Sequence, residues 1–294
     1  MTSFLLSMLA LTAAVELPAR EVVNKTVGVY RDLDFAVNAD ESIQLDFYVP
    51  RAGTAPLPAI VVIAGGAFLA QDEKKFKDEA RILAEAGFAA ASIAYRGWPG
   101  DSFPAAVEDA KAAVRYLRAN AVTLNIDPDR IGAFGQSAGA YLVGMLAVSA
   151  GEAELEGTGG NPGVPSGIKA AVCFSGLFDF IRGEGGEKEG GSIAKRTFNR
   201  LWIGGPLEEN PELWAKASPI SYITPEDAPI LFVHSRKDSM VPWSQSEQMY
   251  QALKKVRPES KLMLLDEGGH NIRDNRKVKD EAWAAAIAYF KEHL

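Results

Sequence analysis

The stretch RIGAFGQSAGAYLVG, residues 130–144, joins an apolar run to an Ala/Leu-rich run through a serine set between two glycines. The first half has the length and composition of a buried strand and the second that of a helix, so Ser137 sits where one hands over to the other. A G-x-S-x-G match is weak by itself. In a sharp strand-to-helix turn it gains a physical reason. Glycines at 135 and 139 lack the Cβ atoms that would collide, the serine Oγ projects above the carboxyl edge of the sheet, and the helix N-terminus offers free N–H groups and a partial positive charge. This context points to a nucleophile. The competing reading is a serine that only caps the helix.

Outward from that junction the period of the sequence alternates. Upstream, TVGVYRDLDFAV and IQLDFYVP alternate apolar and polar residues around the turn-forming NADES, which reads as an antiparallel hairpin. LPAIVVIAGG is a continuous apolar run, as expected of a strand covered on both faces. KKFKDEARILAEAG, residues 74–87, has helical spacing and stops at Gly; FAAASIAYRG and FPAAVEDAKAAVRYLRANA repeat the strand and helix pattern. Downstream come the strands IKAAVCFSG, PILFVHSRKD and SKLMLLDEG and the helices SEQMYQALKKV and DEAWAAAIAYFKEHL. Strands alternating with helices predict an α/β fold, a mainly parallel twisted sheet of about eight strands with helices on both faces. There is no internal repeat and no Pro/Ser-rich linker, so residues 21–294 read as one domain. Gly and Pro cluster within 151–220, in GEAELEGTGGNPGVPSG and IRGEGGEKEGG. These stretches read as insertions above the sheet, forming either a lid or pocket wall or merely solvated loops.

With 294 residues, 47% hydrophobic and 23% charged, the chain is long enough for a deep core. A net charge of -7 without a long basic run argues against a nucleic-acid partner. The single cysteine, Cys173, lies in an apolar stretch and reads as a buried thiol, and no intrachain disulfide can form. The start, MTSFLLSMLALTAAVELPAR, carries an apolar segment over 4–15 with small residues at Thr12 and Ala14, which favours a cleaved leader and export; no Lys or Arg precedes it. The alternative is an ordinary N-terminal extension over 1–20. No stretch approaches the ~20 uninterrupted apolar residues of a membrane span. Asn24, Lys25 and Thr26 form a glycosylation sequon.

A serine hydroxyl becomes nucleophilic when a histidine takes its proton, and the histidine needs a carboxylate to fix its tautomer. Of three histidines, His293 is one residue from the end and His234 lies inside the apolar strand ILFVH, where a satisfied core role is expected. His270, in LLDEGGHNIRD after the last strand, is the candidate base. For the carboxylate, Asp238 in HSRKDSMVP is favoured, Asp179 in SGLFDF competes, and Asp266 lies too near the last strand to aim at His270. The order Ser, Asp, His along the chain is that of α/β-hydrolases.

On IQLDFYVP, VVIAGGAF, AYRG, DPDRIGAFGQSAGAYL, HSRKDSMVP and EGGH, standing in this order, the chain resembles an α/β-hydrolase of the esterase/lipase group. Within that group it is most like the bacterial carbohydrate-esterase-like members related to acetylxylan and feruloyl esterases. The resemblance implies a serine carboxylic-ester hydrolase needing no metal or organic cofactor, acting on acetyl or feruloyl esters of plant polysaccharides or oligosaccharides. It also implies an oxyanion hole built from the amide of Ala138 and from the loop after VVIAGG, through Gly66 and Ala67. Relatives commonly read H-G-G-G there; here the loop is Ala64, Gly65, Gly66, Ala67, so an altered acyl pocket is expected. Phe68, Trp98, Phe178, Trp202 and Trp243 fall in loops expected to converge near the site, where sugar rings or aromatic acids could stack. Other readings are a general short-chain carboxylesterase, a peptidase of the prolyl-peptidase type, and a catalytically silent binding protein of the same fold.

Overall fold

The computed structural model describes residues 15–38, 41–53, 55–184 and 199–294. The apolar leader segment as far as residue 14, two residues of the NADES turn and most of IRGEGGEKEGG lie outside them. Alternating side chains make β2 (Val27–Asn38) and β3 (Glu41–Pro50) an antiparallel pair, Val27 opposite Pro50 and Asn38 opposite Glu41. A two-residue strand, β1 (Glu21–Val22), pairs with β2 at the sheet edge. β4 (Leu57–Ile63) is apolar throughout and β5 (Ala89–Ile93) is apolar but for the buried Ser92, because both of their faces are covered. They are followed by β6 (Ile126–Gln136), β7 (Ala170–Phe174), β8 (Ile230–Ser235) and β9 (Lys261–Leu265).

The nine strands run in the order β1-β2-β3-β5-β4-β6-β7-β8-β9. From β5 to β9 every pairing is parallel, and β3 meets β5 antiparallel. The sheet thus has one strand more than the expected eight, the additional one being the short β1. Its period of two gives β4 a side chain for each face: Val61 and Ile63 enter one buried cluster, Ile60 and Val62 the other. The first cluster is closed by α2 (Ala105–Ala119), α3 (Ala138–Val148) and α4 (Ser244–Leu253); the second by α1 (Lys77–Glu85) and α5 (Lys279–His293). No helix among the described residues is long and apolar enough to cross a membrane.

This topology corrects the placement of one insertion. Helix α3 starts at the carboxyl end of β6 and carries the chain back, so residues 149–169 enter β7 at its amino end, away from Ser137. There Glu156 pairs with Lys111 at 2.8 Å and Arg115 at 2.9 Å on α2, with both cations buried. That stretch therefore forms neither a lid nor a wall over Ser137. The described residues 175–184 follow β7 at its carboxyl end, on the side of Ser137, and the rest of the second stretch lies outside the described residues.

Candidate active site

The serine turn is built by close approach. A Cβ on Gly139 would lie 2.1 Å from the Ile63 carbonyl oxygen at the end of β4, and one on Gly135 would lie 2.4 Å from the Gly139 carbonyl oxygen. Only glycine lets α3 begin this close to the sheet. Between them Ser137 takes φ 57° and ψ −122°, a conformation that costs a β-carbon residue about 1–3 kcal/mol. The surroundings hold it there: its N–H donates to the Phe174 carbonyl at 2.9 Å and its own carbonyl accepts from Tyr141 N–H at 3.0 Å. The result is a half-buried hydroxyl above the sheet, beside the Ala138 N–H, the first of α3, which has no partner within the helix.

The loops after β8 and β9 bring the other two groups to it. Ser137 Oγ lies 2.9 Å from His270 Nε2, and His270 Nδ1 lies 2.8 Å from Asp238 Oδ2. Asp238 is fully buried, whereas the His270 ring is 11% exposed. Oδ1 of Asp238 accepts from the N–H groups of Met240 at 2.8 Å and Val241 at 2.9 Å, closing the turn around the carboxylate. Burial pushes the Asp238 carboxyl up, but hydrogen bonds from His234, His270 and the Val241 N–H outweigh it and hold the group well below the ordinary carboxylate range. A carboxylate that stays charged can fix Nδ1–H on His270 and leave Nε2 free to accept a proton.

Two side chains absent from the sequence reading lock these loops together. Ser235 Oγ accepts from Lys237 N–H and from Gly269 N–H, each at 3.1 Å, and so ties the Asp238 turn to the residue before His270. Gln136, the neighbour of Ser137, donates through Nε2 to the His270 carbonyl at 3.1 Å and to Asn271 Oδ1 at 3.2 Å. The position of Gln136 beside the serine was the only signal for it in the sequence.

The remaining candidates are accounted for elsewhere. Asp179 is an N-terminal cap, its Oδ1 accepting from Ile181 and Arg182 N–H at 3.0 and 2.9 Å. The Asp266 side chain is 91% exposed beside Arg236. His293 Nδ1 meets the Tyr289 carbonyl at 2.8 Å. His234 is fully buried, as expected of a core histidine, yet its Nε2 lies 3.2 Å from Asp238 Oδ2. Cys173 is buried, and burial pushes its thiol well up from the ordinary value.

Opposite the serine, Ala67 and Phe68 adopt left-handed φ of 50° and 61°. A glycine would take such a φ without strain, whereas Ala67 holds the turn at a cost of about 1–2 kcal/mol. The loop is anchored without a histidine at 64. The Tyr95 hydroxyl donates to the Ala64 carbonyl at 2.8 Å, and burial pushes that hydroxyl up, so it remains a donor. Gln71 and Tyr95 exchange backbone hydrogen bonds, and Trp98 N–H donates to the Phe68 carbonyl, so the segment after β5 supports the loop along its length.

The aromatic surface is corrected in part. Phe68 stacks on Trp202 at 4.0 Å, with Tyr141 edge-on to both, and both rings are buried. Phe178 is fully buried against Phe232 and would touch a Cβ on Gly144. These three rings fill the core under the site because the loops carrying them fold inward. Trp98 and Trp243 stay half-buried, and Trp243 lies under the Arg236 guanidinium at 4.8 Å. Elsewhere the carboxylates of Asp32, Asp46 and Glu73 come together, but Arg31 and Lys74 pair with their oxygens, so they do not form an open metal site.

Residues 45–253 match the family model BD-FAE. Over 202 residues the chain is 30% identical to Esterase LipQ of Mycobacterium tuberculosis, across 67% of this chain and 46% of that protein. Its fold superposes on the bifunctional GH43-CE of Bacteroides eggerthii with a TM-score of 0.80 at 28% identity, covering 90% of this chain and 38% of the other. A truncated form of a carbohydrate esterase from gut microbiota also gives a TM-score of 0.80, at 25% identity over 93% of this chain and 99% of the other. The chain spans about half the length of curated relatives such as LipQ.

Proposed function

This chain belongs to the BD-FAE family of α/β-hydrolases, and from that premise we propose that it is a serine carboxylic-ester hydrolase with Ser137 as nucleophile, His270 as base and Asp238 as the acid that orients it. The observation that carries this reading is the unbroken line from Ser137 Oγ through His270 to Asp238, at 2.9 and 2.8 Å. Ser137 Oγ attacks the ester carbonyl as its proton passes to His270 Nε2. The C–O bond to the alcohol then breaks, and the alcohol leaves with that proton. A water deprotonated by His270 releases the acid from the acyl-enzyme and restores Ser137. Negative charge on the carbonyl oxygen is received by the amides of Ala138, Gly66 and Ala67, each worth about 3 kcal/mol in the transition state.

The carbohydrate esterases among the structural relatives support a carbohydrate ester as the substrate, and within that class the sequence resemblance points to acetyl or feruloyl esters of plant polysaccharides or their oligosaccharides. Phe68, the neighbour of Ala67, is buried and stacked on Trp202, which favours a short acyl group such as acetyl on that side. The test is a panel of acetylated and feruloylated xylo-oligosaccharides beside p-nitrophenyl acetate. The expected result is turnover of p-nitrophenyl acetate and of the acetylated sugars. Failure on every ester sinks the hydrolase reading, and a preference for simple alkyl esters by orders of magnitude removes the carbohydrate assignment.

A further inference from the structure

We propose that His234 is a positioning residue: its Nε2–H reaches the same Asp238 oxygen that faces His270, so that a second imidazole fixes how the carboxylate meets the first. The inference rests on the roles given above to Ser137, His270 and Asp238.

His234 is the penultimate residue of β8 and fully buried. Its Nε2 lies 3.1 Å from the Val241 carbonyl oxygen and 3.2 Å from Asp238 Oδ2. Both are acceptors with no proton to give, so Nε2 must carry the hydrogen. On the other side of the ring, Nδ1 lies 2.7 Å from Ser246 Oγ on α4, a hydroxyl free to donate to it. Ser246 and the two acceptors therefore select one neutral tautomer, with its N–H aimed into the Asp238 turn. Together with the amides of Met240 and Val241 on Oδ1, the carboxylate is approached by donors on every side and cannot rotate away from His270.

The consequence is electrostatic as well as geometric. Among the described residues, the groups of formal or titratable charge that face the His234 ring are Asp238 on its own loop and, across that carboxylate, His270 on the loop after β9; α4 presents the neutral Ser246. An N–H on Oδ2 takes part of the carboxylate's negative charge. Without it, that charge stabilises the imidazolium of His270 more strongly, and the base becomes available only at higher pH.

Two variants separate donation from packing. His234→Phe keeps a ring of similar size and has no donor; His234→Gln places an amide N–H where Nε2 stands. Both are measured with p-nitrophenyl acetate across a pH series, beside Asp238→Asn. For His234→Phe we expect kcat to fall about 10- to 100-fold with KM little changed, and the acid limb of kcat/KM to move up by about half to one pH unit. His234→Gln is expected to recover most of both. A wild-type kcat and profile for His234→Phe overturns the proposal, as does a loss in His234→Gln equal to that in His234→Phe. Should His234→Phe fail to fold, 15N NMR of the wild-type histidines decides: a protonated Nε2 with a bare Nδ1 on His234 supports it, and the reverse tautomer overturns it. Full activity in Asp238→Asn is a different failure, since it removes the underlying assignment of Asp238.

Discussion

Two groups of buried charge lie at opposite ends of the central strands, and they do opposite things. At the amino end of β7, Lys111 and Arg115 are paired with Glu156, which also accepts from Ser166, while Lys111 reaches the Ser149 carbonyl. At the carboxyl ends of β8 and β9, Asp238 gathers four N–H donors from Met240, Val241, His270 and His234. The first network closes on itself and fastens residues 149–166 to α2. The second leads through His270 to a half-buried hydroxyl on a residue held in a costly conformation. Burial of charge is common to both. What separates a candidate site from a staple is that its chain of hydrogen bonds ends on a reactive atom substrate can reach.

Removing a charge at each end should therefore be read by different instruments. Asp238→Asn leaves the loop a side chain of the same shape but loses control of the His270 tautomer; we expect kcat to drop by about 10^4-fold while Tm falls by only a few degrees. Glu156→Ala leaves two buried cations without their partner. That should cost about 3–5 kcal/mol and lower Tm by roughly 10 °C, with kcat/KM of the folded protein within about twofold of wild type. A stable Glu156→Ala with damaged kinetics would break the contrast between the two ends. Tyr95→Phe gives the smallest effect. It removes the hydroxyl under Ala64 at about 1 kcal/mol, and loosening of the loop bearing Gly66 and Ala67 should lower kcat by about two- to fivefold.

The same contrast shows what could be read without coordinates. Local chemistry was legible: the apolar runs of β4 and β6, the glycines around Ser137, and the loop positions of Asp238 and His270 follow from period and chain order. Contacts between distant segments were not. Phe68, Phe178 and Trp202 look like surface aromatics because loops usually lie outside, whereas these loops turn inward and their rings pack on one another. His234 sits within a strand of buried residues, and nothing in ILFVHS reveals that its ring reaches past the strand end to Asp238. The hold on Ala64 comes from Tyr95, 31 positions away. The place of residues 149–166 could have been deduced, since a helix that begins at the carboxyl edge must deliver the chain to the amino edge.

The central claim is that Ser137 is the nucleophile of an ester hydrolase. It is tested most directly by exposing the protein to a fluorophosphonate, mapping the adduct by peptide mass spectrometry, and following p-nitrophenyl acetate hydrolysis in the same samples. The account predicts one adduct on the peptide carrying Ser137, loss of hydrolysis in step with labelling, and neither labelling nor turnover in a folded Ser137→Ala. An adduct on another residue, or esterase activity retained by Ser137→Ala, would contradict it.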